Sequence, residues 1–191
     1  MTPCSQTIAK GIALDCDKSL VAGWTGRAVY IPYSVNPTIT KSGTNPRVVT
    51  AVTASSVIGV LVQNNDPFAG TNVAGSTDNG RAQFVKTFAT LIPMHGADVA
   101  KDTIEPLIKN LQGGMLIIER KDKAGYGSFV VFGLYDPVIA DASTYSRDES
   151  ANGGAASLSF ICREDYEECN FFDTDYATTK TAFDALFTAA V

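Results

Sequence analysis

The residues that could do chemistry are few. His95 is the only imidazole in the chain, so a nucleophile–base couple has to use it, with a Ser or Cys brought close by the fold. No G-x-S-x-G nucleophile elbow and no phosphate-binding loop is present. Gly125-Tyr126-Gly127 begins like a dinucleotide fingerprint but lacks the third glycine and falls in a turn between two strand-like runs, where the motif has no meaning. His95, in Pro93-Met94-His95-Gly96, reads as a residue opening a helix with a local hydrogen bond. The sequence therefore predicts no catalytic residues and no enzyme.

Metal and cofactor chemistry fares similarly. The four cysteines, Cys4, Cys16, Cys162 and Cys169, include no C-x-x-C pair. A four-thiolate site joining the chain ends is conceivable, but without short ligand spacings buried free thiols are the better reading. Glu164, Asp165, Glu167 and Glu168 match no calcium loop and read as a solvated turn between a strand and a helix. Asp173 and Asp175 sit where a helix N-terminus welcomes a cap and negative charge. Asp15 and Asp17 have no further ligand nearby. No metal and no cofactor is expected. Tyr126, Phe129, Phe132 and Tyr135 form an aromatic series of the kind that packs a core.

The totals point to surfaces instead. The 191 residues suit one domain, and a chain of that size hides roughly 70% of its unfolded surface. Hydrophobic residues make up 45% and charged residues only 18%. A surface so poor in charge is cheaply desolvated, as large interfaces require. The net charge of −5 disfavours nucleic-acid binding by counterion release, which needs clustered Lys and Arg. No stretch approaches the roughly 20 apolar residues of a membrane span, and Lys10, Asp15 and Asp17 interrupt what would be a signal segment. Synthesis and assembly in the cytoplasm are expected.

Along the chain, residues 1–26 read as an irregular arm broken by glycines. Arg27–Tyr33 alternates as a strand, with Pro32 demoting its end to a sheet edge. Arg47–Val52 and Val57–Gln63 are β-branched strands joined by a short polar turn. Asn64–Gly80 carries many turn formers and reads as the longest surface loop, with Pro67, Phe68 and Val73 as candidate anchors for an oligomer interface. Ala82–Leu91 alternates, placing Phe84, Lys86 and Phe88 on one face. Asp98–Leu111 has helical spacing at Val99, Ile104, Leu107, Ile108 and Leu111, firm from about Thr103 and closed by Gly113 and Gly114. Met115–Lys121 and Ser128–Tyr135 form a hairpin apolar on both faces, the expected middle of the fold. Asp136–Gly154 reads as a polar excursion, Ala155–Arg163 as a strand, and 175–190 as a terminal helix. On that helix Tyr176, Thr179, Phe183, Leu186 and Phe187 share a face, while Lys180 and Asp184 face water. The fold class is α+β, mainly β: an antiparallel β-sandwich or barrel with two flanking helices, in a single domain.

Two segments carry a family resemblance. Cys4-Ser5-Gln6-Thr7-Ile8-Ala9-Lys10-Gly11-Ile12-Ala13-Leu14-Asp15-Cys16 resembles the opening of small phage and prophage structural proteins. Phe171-Phe172-Asp173-Thr174-Asp175-Tyr176-Ala177-Thr178-Thr179-Lys180 resembles their C-terminal helix start. The order of strands, long loop, helix and strands is similar to that of major tail tube proteins. Together the two segments cover about an eighth of the chain, and neither is a mechanistic motif, so no functional residue is carried over. The resemblance implies a virion component, assembled in the host cytoplasm into stacked hexameric rings with copies of itself and other virion proteins. DNA would pass through its lumen without specific binding. A capsid decoration protein, another virion component, or a cytosolic module holding a small ligand between the sheet and the Asp98–Leu111 helix are the alternatives.

Overall fold

The hairpin that is apolar on both faces is the centre of the molecule. In the computed structural model, which describes residues 23–61, 72–78, 81–92, 100–121, 123, 126–146 and 156–189, β7 (Gly114–Arg120) pairs antiparallel with β8 (Phe129–Phe132). They occupy the middle of a seven-stranded sheet of order β2-β3-β11-β8-β7-β1-β4. The other members are β1 (Trp24–Pro32), β2 (Thr38–Lys41), β3 (Val48–Thr53), β4 (Ile58–Leu61) and β11 (Cys169–Phe171). All neighbours run antiparallel except β11 and β3. A second sheet of order β5-β6-β10-β9 holds β5 (Asn72–Asp78), β6 (Arg81–Ile92), β9 (Ile139–Ser146) and β10 (Ala156–Glu164).

Period-two alternation divides the central strands between two cores. Leu116, Ile118, Val130 and Phe132 face the second sheet, where they meet Phe88, Leu158 and Phe160. Met115, Ile117, Phe129 and Val131 face the opposite side, where Phe183 of the terminal helix α2 (Tyr176–Ala189) packs on them. This is the mainly β, α+β arrangement of two packed sheets with two helices that the sequence predicts.

The long sheet is rolled. Residues 54–57 connect β3 to β4, which lie five strand positions apart. Laid flat, that separation would be about 24 Å. The connection reaches at most about 18 Å, so the edge carrying β4 must curl toward β3. Val52, Ala54 and Val57 accordingly pack against the cluster beneath α2. The two strands expected to be near neighbours through a polar turn are therefore not paired with each other: β3 lies between β2 and β11, and β4 pairs with β1.

Several expectations are corrected. The arm assigned to residues 1–26 is too long, because β1 starts at Trp24, and its first residue pairs with Arg120. β1 is an interior strand. Its pairing with β4 runs from Arg27 to Tyr30, so its end at Ile31 and Pro32 has no β4 partner, which is where a proline is tolerated. Part of the Asn64–Gly80 loop is strand: β5 pairs with β6 over its whole length, from Asn72 opposite Thr87 to Asp78 opposite Arg81. Its Gly, Ala, Ser and Thr content hid a strand whose backbone groups are satisfied on one side by β6. The polar excursion from Asp136 likewise contains β9, an edge strand on β10.

The first helix ends earlier than its periodicity suggests, and Asp98 and Val99 of that expectation lie outside the described residues. A π-helical turn at Ala100–Ile104 leads into α1 (Glu105–Lys109). Ile104 and Leu107 are buried, but Leu111 is 85% exposed. The chain leaves helical geometry at Asn110 (ψ 84°), whose side-chain amide donates to Tyr30 Oη and to the Gly113 carbonyl, each at 3.1 Å. The terminal helix, by contrast, starts as read. The Thr178 N–H donates to Asp175 Oδ1 at 2.7 Å, and that bond, with the Thr178 hydroxyl, holds the carboxyl below its ordinary value. Thr179 and Phe183 on its inner face are fully buried.

Candidate functional site: a buried ion pair and the cleft beside it

Lys86 is the residue that breaks the pattern of its strand. Alternation places it on the face of Phe84 and Phe88, and β6 and β10 pair so that Lys86 stands opposite Cys162 and Glu164 opposite Phe84. Lys86 and Glu164 therefore share a face as diagonal neighbours, within reach of long side chains. Their Nζ and Oε2 atoms form an ion pair in which both side chains are 0% exposed. The Phe132 ring lies 5.3 Å from the ammonium.

The second carboxylate oxygen is also engaged. The backbone N–H of Leu134 donates to Glu164 Oε1 at 2.7 Å. That N–H is aimed by Gly133, whose φ of +85° is left-handed, and a Cβ there would stand 2.5 Å from the Gly114 carbonyl oxygen. Only glycine fits. Tyr33 Oη donates to the Gly133 carbonyl at 2.5 Å. Burial, with a smaller contribution from the Glu164 charge, pushes the Tyr33 phenol up to about 12.

The acidic cluster is thus not one solvated turn. Glu164 is core, and Glu168 makes a two-point pair with Arg120 at 3.2 and 2.8 Å. Asp165 and Glu167 are exposed. A charged residue enters a core only where an opposite charge waits for it. The signal in the sequence was Lys86 between Phe84 and Phe88, and its partner could not be read without the strand register.

One residue before and one after Glu164, on the outward face of the sheet, Arg163 and Asp165 join Gln83, Tyr135 and Asp136 around a cleft of about 240 Å³. The Arg163 backbone N–H donates to Asp136 Oδ2 at 2.8 Å. Tyr135 donates to the Pro46 carbonyl at 2.6 Å and carries Lys41 over its ring at 4.0 Å. Tyr166 meets it edge-on at 5.3 Å, with Arg47 4.4 Å above the Tyr166 ring. Of the aromatic series, Phe129 and Phe132 are core, whereas Tyr126 and Tyr135 are exposed. Tyr126 stacks on Phe172 at 4.1 Å.

A second charge network joins α2 to the long sheet. Arg27 pairs with Glu119 at 3.2 Å and Asp184 at 2.5 Å, and Lys180 pairs with the same carboxylates at 3.6 and 3.1 Å. Lys180 and Asp184, expected to face water, are instead half-buried in this network. Burial acts to raise the Asp184 carboxyl, but hydrogen bonds from Arg27 and Lys180 outweigh it and hold the group below its ordinary value. The Arg27 guanidinium also lies 4.5 Å from the Phe187 ring centre.

Cys162 and Cys169 are free and buried, Cys162 between the sheets and Cys169 beneath α2. Cys4, Cys16 and His95 lie outside the described residues. Burial first, then the Glu164 charge, pushes the Cys162 thiol up to about 12 and the Cys169 thiol up to about 11. Neither forms thiolate at neutral pH, and the thiolate is the reactive form. A maleimide reagent should leave both unmodified in the folded protein and label both in denaturant; rapid native labelling would contradict their burial. Unfolded thiols ionise near the ordinary value of 9.0, so the fold should lose stability as pH rises above it.

Of the predicted interface anchors, Pro67 and Phe68 lie outside the described residues. Val73 is a rung of β5, opposite Lys86, and not part of a loop. Ile104, at the end of the π-helical turn, and Leu107 of α1 pack into the core between the sheets. Compared with known proteins, the chain matches no family model, no curated protein and no solved structure.

Proposed function

We propose that the chain is a non-enzymatic virion structural protein, a self-assembling subunit of a tail-tube-like assembly. The observation that carries this reading is the edge strand β5, at the border of the four-stranded sheet. Its far side has no partner strand among the described residues. A row of N–H and C=O groups of that kind is a template for another chain. Its Asn-Val-Ala-Gly-Ser-Thr-Asp sequence carries neither Lys nor Pro, the usual devices against edge pairing. The low charge content lets such a border be desolvated cheaply. The net charge of −5 suits a lumen through which DNA slides without adhering. The partners are then copies of the chain and other virion proteins, assembled in the host cytoplasm, with no cofactor.

Negative-stain imaging of the purified protein, with size-exclusion chromatography across a concentration series, tests this. Rings or tubes of uniform width are expected. A monomer at every concentration would overturn the reading. A monomer that retains a small molecule would place function in the Gln83–Arg163 cleft instead.

A further inference from the structure

The Lys86–Glu164 pair holds an amine and a carboxyl in contact, away from water. Both side chains are fully buried. One carboxylate oxygen faces the ammonium, and the other accepts the Leu134 N–H at 2.7 Å. Burying two charges costs more desolvation than their attraction reliably returns, so a reaction that removes both charges is favoured by the same burial. We propose that Lys86 and Glu164 condense to a side-chain amide, a covalent brace between β6 and β10 formed by the folded chain itself. This inference does not depend on the assembly reading.

The chemistry is complete with the groups present. A proton passes from Nζ to Oε2, leaving an amine beside a carboxylic acid. The Nζ lone pair attacks Cδ, forming the N–C bond and placing negative charge on Oε1. That oxygen already holds the Leu134 N–H, a fixed donor where charge develops. A second proton passes from Nζ to Oε2, the Cδ–Oε2 bond breaks, and one water molecule leaves as the Oε1 carbonyl re-forms. Nζ keeps its third hydrogen as the amide N–H. No oxidant, metal or co-reactant is consumed. Holding the two groups in place makes the step intramolecular, which replaces a large entropic barrier, and the exclusion of water by Phe132 and its neighbours opposes hydrolysis.

The test is the mass of the full chain after denaturation, followed by tryptic mapping. The expected protein is lighter than its sequence by one water. Cleavage after Lys86 should fail, and the peptide 82–101 should be recovered joined to 164–180. Lys86→Met should restore the full sequence mass. A wild-type protein of full mass that releases the peptide 82–86 would overturn the proposal. So would a water loss that persists in Lys86→Met, because the dehydration would then lie elsewhere. Both readings use denatured protein, so they hold even if the variant folds poorly.

Discussion

Relative to protein in which Lys86 and Glu164 are still an ion pair, Glu164→Ala should destabilise the fold by about 3–5 kcal/mol, the range for breaking one side of a buried charge pair; losing an amide cross-link between them adds to that. The loss has two sources. The Lys86 ammonium, 0% exposed, would be left without its carboxylate in a site lined by Phe132, and the Leu134 N–H would lose its acceptor. Lys86→Ala should cost a comparable amount for the mirrored reason. Replacing both at once, Lys86→Met with Glu164→Leu, should be less damaging than either single truncation, since no uncompensated charge is then buried. Urea unfolding of the two single variants and the double variant measures this. A Glu164→Ala loss below about 1 kcal/mol would mean that the site admits water and that its two residues behave as a surface pair.

Phe132→Ala should cost about 3–5 kcal/mol. Phe132 is 3% exposed in the centre of the long sheet. Its ring lies 5.3 Å from Phe88 and 6.5 Å from Trp24, with the Lys86 ammonium on a third side. The surrounding strands are paired on both sides, so the cavity has little freedom to collapse. Ile117→Ala, on the opposite face of the neighbouring strand, should cost about 2–5 kcal/mol without touching the charge pair. Because the two positions belong to separate clusters, their effects should add closely. An unchanged melting temperature for both would make the hairpin peripheral. Leu111→Ala, at a site 85% exposed, is the control and should leave stability nearly unchanged.

These two effects meet at one place. Phe132 shields the ammonium, and Gly133, directly after it, turns the chain so that the Leu134 N–H reaches the carboxylate. The central hairpin is thus both the main source of apolar burial and the scaffold of the buried pair. Sheet packing and side-chain chemistry are coupled through three consecutive residues.

What the sequence by itself determined was whatever rests on local pattern. Unbroken apolar runs at Met115–Ile118 and Phe129–Phe132 announced strands covered on both faces, because a strand in the middle layer has no polar side to show. The Asp175 cap and the spacing of Thr179 and Phe183 announced α2, because capping and helical periodicity act over a few residues. β5 had one local signal, the hairpin-type pair Asn79-Gly80 between Asp78 and Arg81, but the small polar residues before it carry no strand pattern and Asn64–Gly80 reads as a loop. Only the tertiary structure decided the rest. The rolling of the long sheet depends on which strands pair, and pairing joins residues far apart in the chain. Glu164 looked like one of several solvated acids because its partner is 78 positions away. Charge burial is decided by register, and a shift of one residue between β6 and β10 would turn Glu164 toward water and leave Lys86 alone in the core.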